Sequence, residues 1–261
     1  MRDLAPKGIS SVRDRINDGL PAGTQGGAAV KKLGILGGMG PESTLMYYRE
    51  IAMRYRERMG ADEFPRLTIE ALDMYRAVGL CKSDRLDELV EYLVSGLESL
   101  EAAGADFAVL ASNTPHVVFD RLQERSRIPL ISIVETACDA AASQRIGRIA
   151  WLGTGFTMAH PYFEEAFRRH GIEVVSPNEE DRIRIDGIIA DELEFGIVRA
   201  ESKRAIDAVL EALRDERGIE AAVLGCTELP LMYDGASAPV PLFDTARLHI
   251  ERIMDVLFEE N

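Results

Sequence analysis

The chain has 261 residues, 46% of them hydrophobic and 28% charged, with a formal net charge of −14. That length and balance fit a soluble globular protein with one or two domains, and the acidic surface would repel a phosphate backbone, which excludes nucleic acid as a partner. The three cysteines, Cys81, Cys138 and Cys226, form no CxxC pair and have no histidine at zinc spacing, so neither a disulfide scaffold nor a metal site is expected.

Residues 1–32 are rich in Gly, Ala and Asp and contain no apolar core of a secretory signal; they read as a flexible leader. No apolar run is long enough for a membrane span, and the expected compartment is the cytoplasm. LGIL (33–36) reads as a first strand, ending in GGMGP. Pro41 opens a helix that Gly60 stops. RLTIEAL (66–72) is a second strand, and Cys81 falls in the loop after it. A helix follows, with Ser83 as its cap and Leu86, Leu89, Val90, Leu93, Leu97 and Leu100 recurring at helical spacing. FAVLAS (107–112) and PLISIV (129–134) are the third and fourth strands.

The pattern then restarts. RIAWLGT (148–154) is a strand into a Gly/Thr turn, 161–170 a helix and IEVVSP another strand. Helices follow over 181–195 and 198–217, then strands AAVLGC (221–226) and VPLFDT (240–245), then a last helix. Strands alternating with helices imply parallel sheets flanked by helices. The restart predicts two pseudo-symmetric α/β domains: 33–135 plus 244–261, and 136–243. Ligands of such sheets sit beyond the carboxyl ends of the strands, which would gather GGMGP, SNTPH, GTGFT and GCTELP around one cleft.

Two of these turns match. VLASNTPH places Ser112 where VLGCTELP places Cys226. A lone cysteine is most often a small buried hydrophobe, but at a strand end in a polar turn its thiolate can be stabilised by N–H groups and act as a base. Asn113 and Thr114 are candidates for binding a carboxylate, or caps for the helix begun at Pro115. Ser112 is too weak an acid to serve without a partner; His116 is a candidate partner or a packed core residue. GGMGP lacks the dinucleotide G-x-G-x-x-G spacing; it reads either as an anion seat at a helix start or as a turn that needs glycine. Arg76 is either a cleft cation or a solvated surface residue. Asp73 and Glu228 are either groups that tune a thiol or solvated loop carboxylates.

Together, GILGGMGPEST, SNTPH, GTGFTM, GCTELP and PLFDT resemble the aspartate/glutamate racemase family, in order from about Leu33 to near the C-terminus. The resemblance implies two pseudo-symmetric α/β domains with the active site between them, no cofactor, a homodimer, and a small amino acid or related carboxylate as substrate. It implies a two-base mechanism, in which one thiolate removes the α-proton and a second thiol returns one on the opposite face. Matched by motif, Cys226 takes the second cysteine position and Ser112 the first. Asn113, Thr114 and Thr227 match carboxylate-binding positions. Gly38, Met39, Arg76, Thr154 and Thr157 complete the expected substrate contacts. Members with one cysteine include racemases restricted largely to L-acidic amino acids and decarboxylases of substituted malonates; a non-catalytic amino-acid-binding descendant is a further alternative. Members that act on Asp or Glu commonly carry a basic residue in the helix that here reads IIADELEFGI, where this chain has Glu194.

Overall fold

The computed structural model describes residues 31–259, so the leader expected over 1–32 lies outside the described residues except for Lys31 and Lys32. These described residues form one compact unit built on two four-stranded sheets. The first half runs β1 (Leu33–Gly37), α1 (Pro41–Met59), β2 (Leu67–Ala71), α2 (Met74–Lys82), α3 (Leu86–Ala102), β3 (Phe107–Leu110), a 3-10 turn (Thr114–Val118), α4 (Phe119–Arg125) and β4 (Leu130–Ile131). After α5 (Ile133–Ser143), the second half runs β5 (Arg148–Leu152), α6 (Gly155–Ala159), α7 (Pro161–Arg169), β6 (Glu173–Val175), α8 (Glu179–Asp191), a 3-10 turn (Leu193–Phe195), α9 (Ala200–Arg217), β7 (Ala221–Leu224), a 3-10 turn (Leu229–Tyr233), β8 (Leu242–Asp244) and α10 (Thr245–Phe258).

The sheet orders are β2-β1-β3-β4 and β6-β5-β7-β8, and every pairing is parallel. Renumbering the second sheet from one reproduces the first, so β3 and β7 are equivalents. Strands β1, β3 and β7 are buried along their whole length, as parallel strands covered on both faces must be.

Three expectations shift. The fourth strand ends at Ile131, because the Ser132 hydroxyl accepts the Glu135 N–H and starts α5. Cys81 is not in a loop but buried in α2, which Asp73 caps by accepting the Arg76 N–H. Ser83 ends α2 rather than capping α3. The boundary at 135/136 falls inside α5, whose Ile133, Val134, Ala137, Cys138 and Ala141 belong to the core of the second sheet. That core meets the first across Val117, which packs on both. Phe156, on α6 after β5, packs on the first core. The carboxyl ends of the two sheets therefore meet.

Candidate active site

Cys226 follows β7 through Gly225. A Cβ at position 225 would sit 2.3 Å from Trp151 Cζ2, so only glycine lets the strand turn against that ring. The turn leaves Cys226 8% exposed. Its Sγ–H donates to Glu228 Oε2 at 2.9 Å, and the same oxygen accepts the Thr227 hydroxyl at 2.8 Å. Burial, then the Glu228 carboxylate, push the Cys226 thiol well above its ordinary range, and Glu194 adds to the effect. The Glu228 backbone N–H acts the other way and is outweighed. Sequence alone suggests a turn that stabilises the thiolate; the structure instead favours the neutral thiol, because the sulfur is buried and its nearest charge is a carboxylate.

Ser112 follows β3 at the equivalent place. Its carbonyl accepts His116 Nδ1–H at 2.8 Å, while His116 Nε2 accepts the Ile133 N–H at 3.3 Å. His116 is fully buried, stacked on Phe119, and desolvation pushes its pKa down to about 3. With both nitrogens engaged it is a packed core residue and does not activate the Ser112 hydroxyl, which has no hydrogen-bond partner among the described residues.

The two turns are tied together. Asn113 Nδ2 donates to Thr245 Oγ1 at 3.1 Å, and that hydroxyl donates to Leu224 O at 2.9 Å. Thr245 has one hydrogen, given to Leu224, so it faces Asn113 as an acceptor and fixes which way the amide points. Asn113 Oδ1 is left buried without a partner. The chain Ser112–Asn113···Thr245···Leu224–Gly225–Cys226 spans the two sheet ends.

Other expected contact residues are engaged within the protein. Gly38 has φ +83, a Cβ there would meet Leu72 O at 2.2 Å, and its N–H donates to Thr44 Oγ1, as a turn that needs glycine requires. Met39 packs in the first core. Thr154 caps α6 by accepting the Thr157 N–H, and the Thr157 hydroxyl donates back to Thr154 O. Arg76 lies with its guanidinium 4.2 Å over the Tyr92 ring of α3, its charge near Glu88. Asp73 caps α2. Thr114, half-buried, and Thr227 remain beside their partners in the turns. Sequence reasoning left Glu228 open between two roles; its adjacency to the thiol was legible only as a two-residue spacing.

Among the described residues one group of three metal-ligating side chains comes together: Glu135, Cys138 and His170, on α5 and at the end of α7. Glu135 is paired there with Arg169 at 2.6 Å, so its carboxylate is already engaged in an ion pair. No described helix is long and apolar enough to cross a membrane.

The Asp/Glu/Hydantoin racemase family model matches residues 36–253. The chain belongs to that family. Racemase relatives include the broad specificity amino-acid racemase RacX of Bacillus subtilis, 24% identical over 82% of this chain and 92% of its own. A glutamate racemase of Corynebacterium kroppenstedtii is 30% identical over 56% of this chain and half of its own. Enzymes of these names are isomerases, and this chain is one of their kind. Among solved racemase structures, an aspartate racemase homologue from Pyrococcus horikoshii superposes with a TM-score of 0.77 at 32% identity, covering 88% of this chain and all of its own. A Francisella tularensis glutamate racemase in complex with D-glutamate shares the fold at 14% identity, with a TM-score of 0.62 over 88% of this chain and 81% of its own. This chain thus carries a thiol, Cys226, and a hydroxyl, Ser112, at the equivalent positions after β7 and β3.

Proposed function

We propose that the protein is a cofactor-independent amino-acid racemase in which Cys226 is the base and Ser112 holds the opposite face. The observation that carries this reading is the Cys226 thiol donating to Glu228 at 2.9 Å, at the strand end equivalent to Ser112's. The Cys226 proton passes to Glu228 Oε2, leaving a thiolate. That thiolate takes the α-proton, and the electron pair spreads into the substrate's α-carboxylate. A water held by the Ser112 hydroxyl gives a proton to the other face of the carbon. The hydroxide left is neutralised through solvent by the proton on Glu228, which restores the resting state. General acid–base catalysis of this kind contributes about 10²–10⁴-fold per group. Ser112 lacks a base beside it, so abstraction from the Ser112 side is the slow direction. The working unit is a homodimer and the substrate a small amino acid or a related carboxylate.

The test is α-proton exchange in D₂O read by NMR, with chiral chromatography of the product. Cys226→Ala, with an unchanged circular dichroism spectrum, should lose exchange by at least about 10³-fold. Exchange that survives in this variant refutes the thiol's role. A second reading, a single-thiol decarboxylase, is favoured by one observation: a neutral buried Cys226 is already a proton donor. Carbon dioxide release from a substituted malonate, without α-proton exchange in any amino acid, would select it.

A further inference from the structure

Apart from the paired turns, Glu135, Cys138 and His170 bring a carboxylate oxygen, a sulfur and a ring nitrogen within 4.8 Å of one another. Glu135, Cys138 and Asp139 fall on one face of α5, at positions i, i+3 and i+4. His170 is the residue that ends α7. Its Nδ1 lies 3.1 Å from Ala166 O, and a carbonyl only accepts, so Nδ1 carries the hydrogen. In the neutral ring Nε2 then holds a lone pair. That nitrogen faces Glu135 Oε2 at 3.5 Å and Asp139 Oδ1 at 3.4 Å. Arg169 engages only the other Glu135 oxygen, Oε1, at 2.6 Å. Cys138 supplies the inner wall: the residue is wholly buried and its thiol is free.

Lone pairs of nitrogen, oxygen and sulfur thus converge on one point, an arrangement that a cation among them stabilises. The donor set chooses the cation. Zinc takes Cys, His and carboxylate ligands together in a tetrahedron, whereas magnesium and calcium take oxygen alone. Zinc bonds of about 2.0–2.3 Å set tetrahedral ligands about 3.3–3.8 Å apart. The two His170 contacts already have that spacing, and side-chain rotation of about 1 Å closes the widest separation in the group. The Nδ1–H bond to a backbone carbonyl is the outer contact that fixes the tautomer of a metal-binding histidine. Charge balances as well. Binding sends the Cys138 proton to solvent. The thiolate, Glu135 and Asp139 then oppose the divalent ion and Arg169, charge for charge.

From this geometry we infer that Glu135, Cys138 and His170, with Asp139 beside them, form a site for a divalent cation of the zinc class. The ion clamps α5, which leaves the first sheet and packs in the second core, to the end of α7. It uses none of the groups assigned to proton transfer. Sequence spacing conceals the site because its cysteine and histidine lie on different helices.

The test strips the full-length protein with a chelator and titrates it with cobalt(II), whose spectrum reports tetrahedral geometry and thiolate ligation. A single equivalent should bind with a sulfur-to-metal charge-transfer band, and zinc should displace it. His170→Gln should weaken binding by at least about tenfold, the least that loss of even an outer contact costs, and Cys138→Ala should abolish the band. Cys226→Ala should bind cobalt as the parent does. Zinc at a hundredfold excess over Kd should raise the parent's Tm by about 5–10 °C and leave that of His170→Gln unmoved. Absence of binding at micromolar metal overturns the inference, as does a band lost in Cys226→Ala but kept in His170→Gln. If Cys138→Ala does not fold, His170→Gln, altered at the half-buried edge of the cluster, decides alone: unchanged affinity there refutes the site.

Discussion

Glu228→Gln isolates the carboxylate's share of what keeps Cys226 neutral, apart from burial. The substitution preserves shape and leaves the amide able to meet the Cys226 and Thr227 side chains. It removes the negative charge that now lies 2.9 Å from the sulfur. Were the thiol to ionise beside Glu228, two negative charges would relax to about 4 Å, a repulsion of about 4 kcal/mol at an effective dielectric constant of about 20. Glu228 is half-buried, and solvent screening roughly halves that to about 2 kcal/mol. The thiol pKa should therefore fall, and the thiolate population rise by about thirtyfold. A more acidic thiol is also a weaker nucleophile, with a Brønsted slope of about 0.5. The gain in thiolate is thus partly offset, and labelling should quicken by about five- to tenfold. The assay is reaction of the folded protein at pH 7 with methyl methanethiosulfonate, with modification located on the Cys226 peptide by mass spectrometry. Cys81 and Cys138 are buried in α2 and α5, and their labelling, compared with that in the parent protein, controls for a change of fold. Labelling of Cys226 that is unchanged or slower in a normally folded variant would refute the electrostatic account.

Two predictions concern stability. Gly38→Ala should cost about 2–4 kcal/mol by urea denaturation, because it combines a left-handed φ with a backbone overlap at Leu72; Gly104→Ala, at φ +80 with nothing within 4 Å, should cost only about 1 kcal/mol. A similar cost at both sites would show that the approach of Leu72 is not limiting. His116 and His249 are fully buried, with desolvation first among the causes that lower them to about 3 and about 4 from 6.5. The unfolded chain binds their protons first, so this contribution is intact above pH 6.5 and is lost as pH falls towards the folded values. By pH 5 the pair should cost about 4 kcal/mol of stability. His249→Gln should roughly halve the slope of stability against pH between 6.5 and 5; an unaltered slope would mean that other groups govern it.

Much of the fold is visible in the sequence because parallel sheets impose continuous apolar runs and helices impose their own spacing. The runs LGIL, FAVL and AAVL carry the first signal, and Leu89, Leu93, Leu97 and Leu100 the second. Helix α2 escapes because Arg76 and Gly79 interrupt its three buried positions, Ala77, Leu80 and Cys81, although Asp73 offers a cap. The paired positions of Ser112 and Cys226 are legible from their matching strand ends. What the turns do with their polar groups is not. Asn113 meets Thr245 across 132 residues, and no local pattern encodes that pairing. The tautomer of His116 depends on Ile133, which reaches it only after folding. The raised thiol depends on the sum of burial and several carboxylates, which a two-residue spacing between Cys226 and Glu228 cannot convey.

The ring that forces glycine at position 225 is the chain's one tryptophan. It is buried at 1% exposure and stacked on Phe163 at 4.6 Å, and Gly225, the residue it touches, precedes the thiol. Its emission originates inside the second core, beside the residue that precedes Cys226. Events at that sulfur, such as ligand entry, ionisation or covalent labelling, therefore have an intrinsic optical reporter, readable in stopped flow without any added dye.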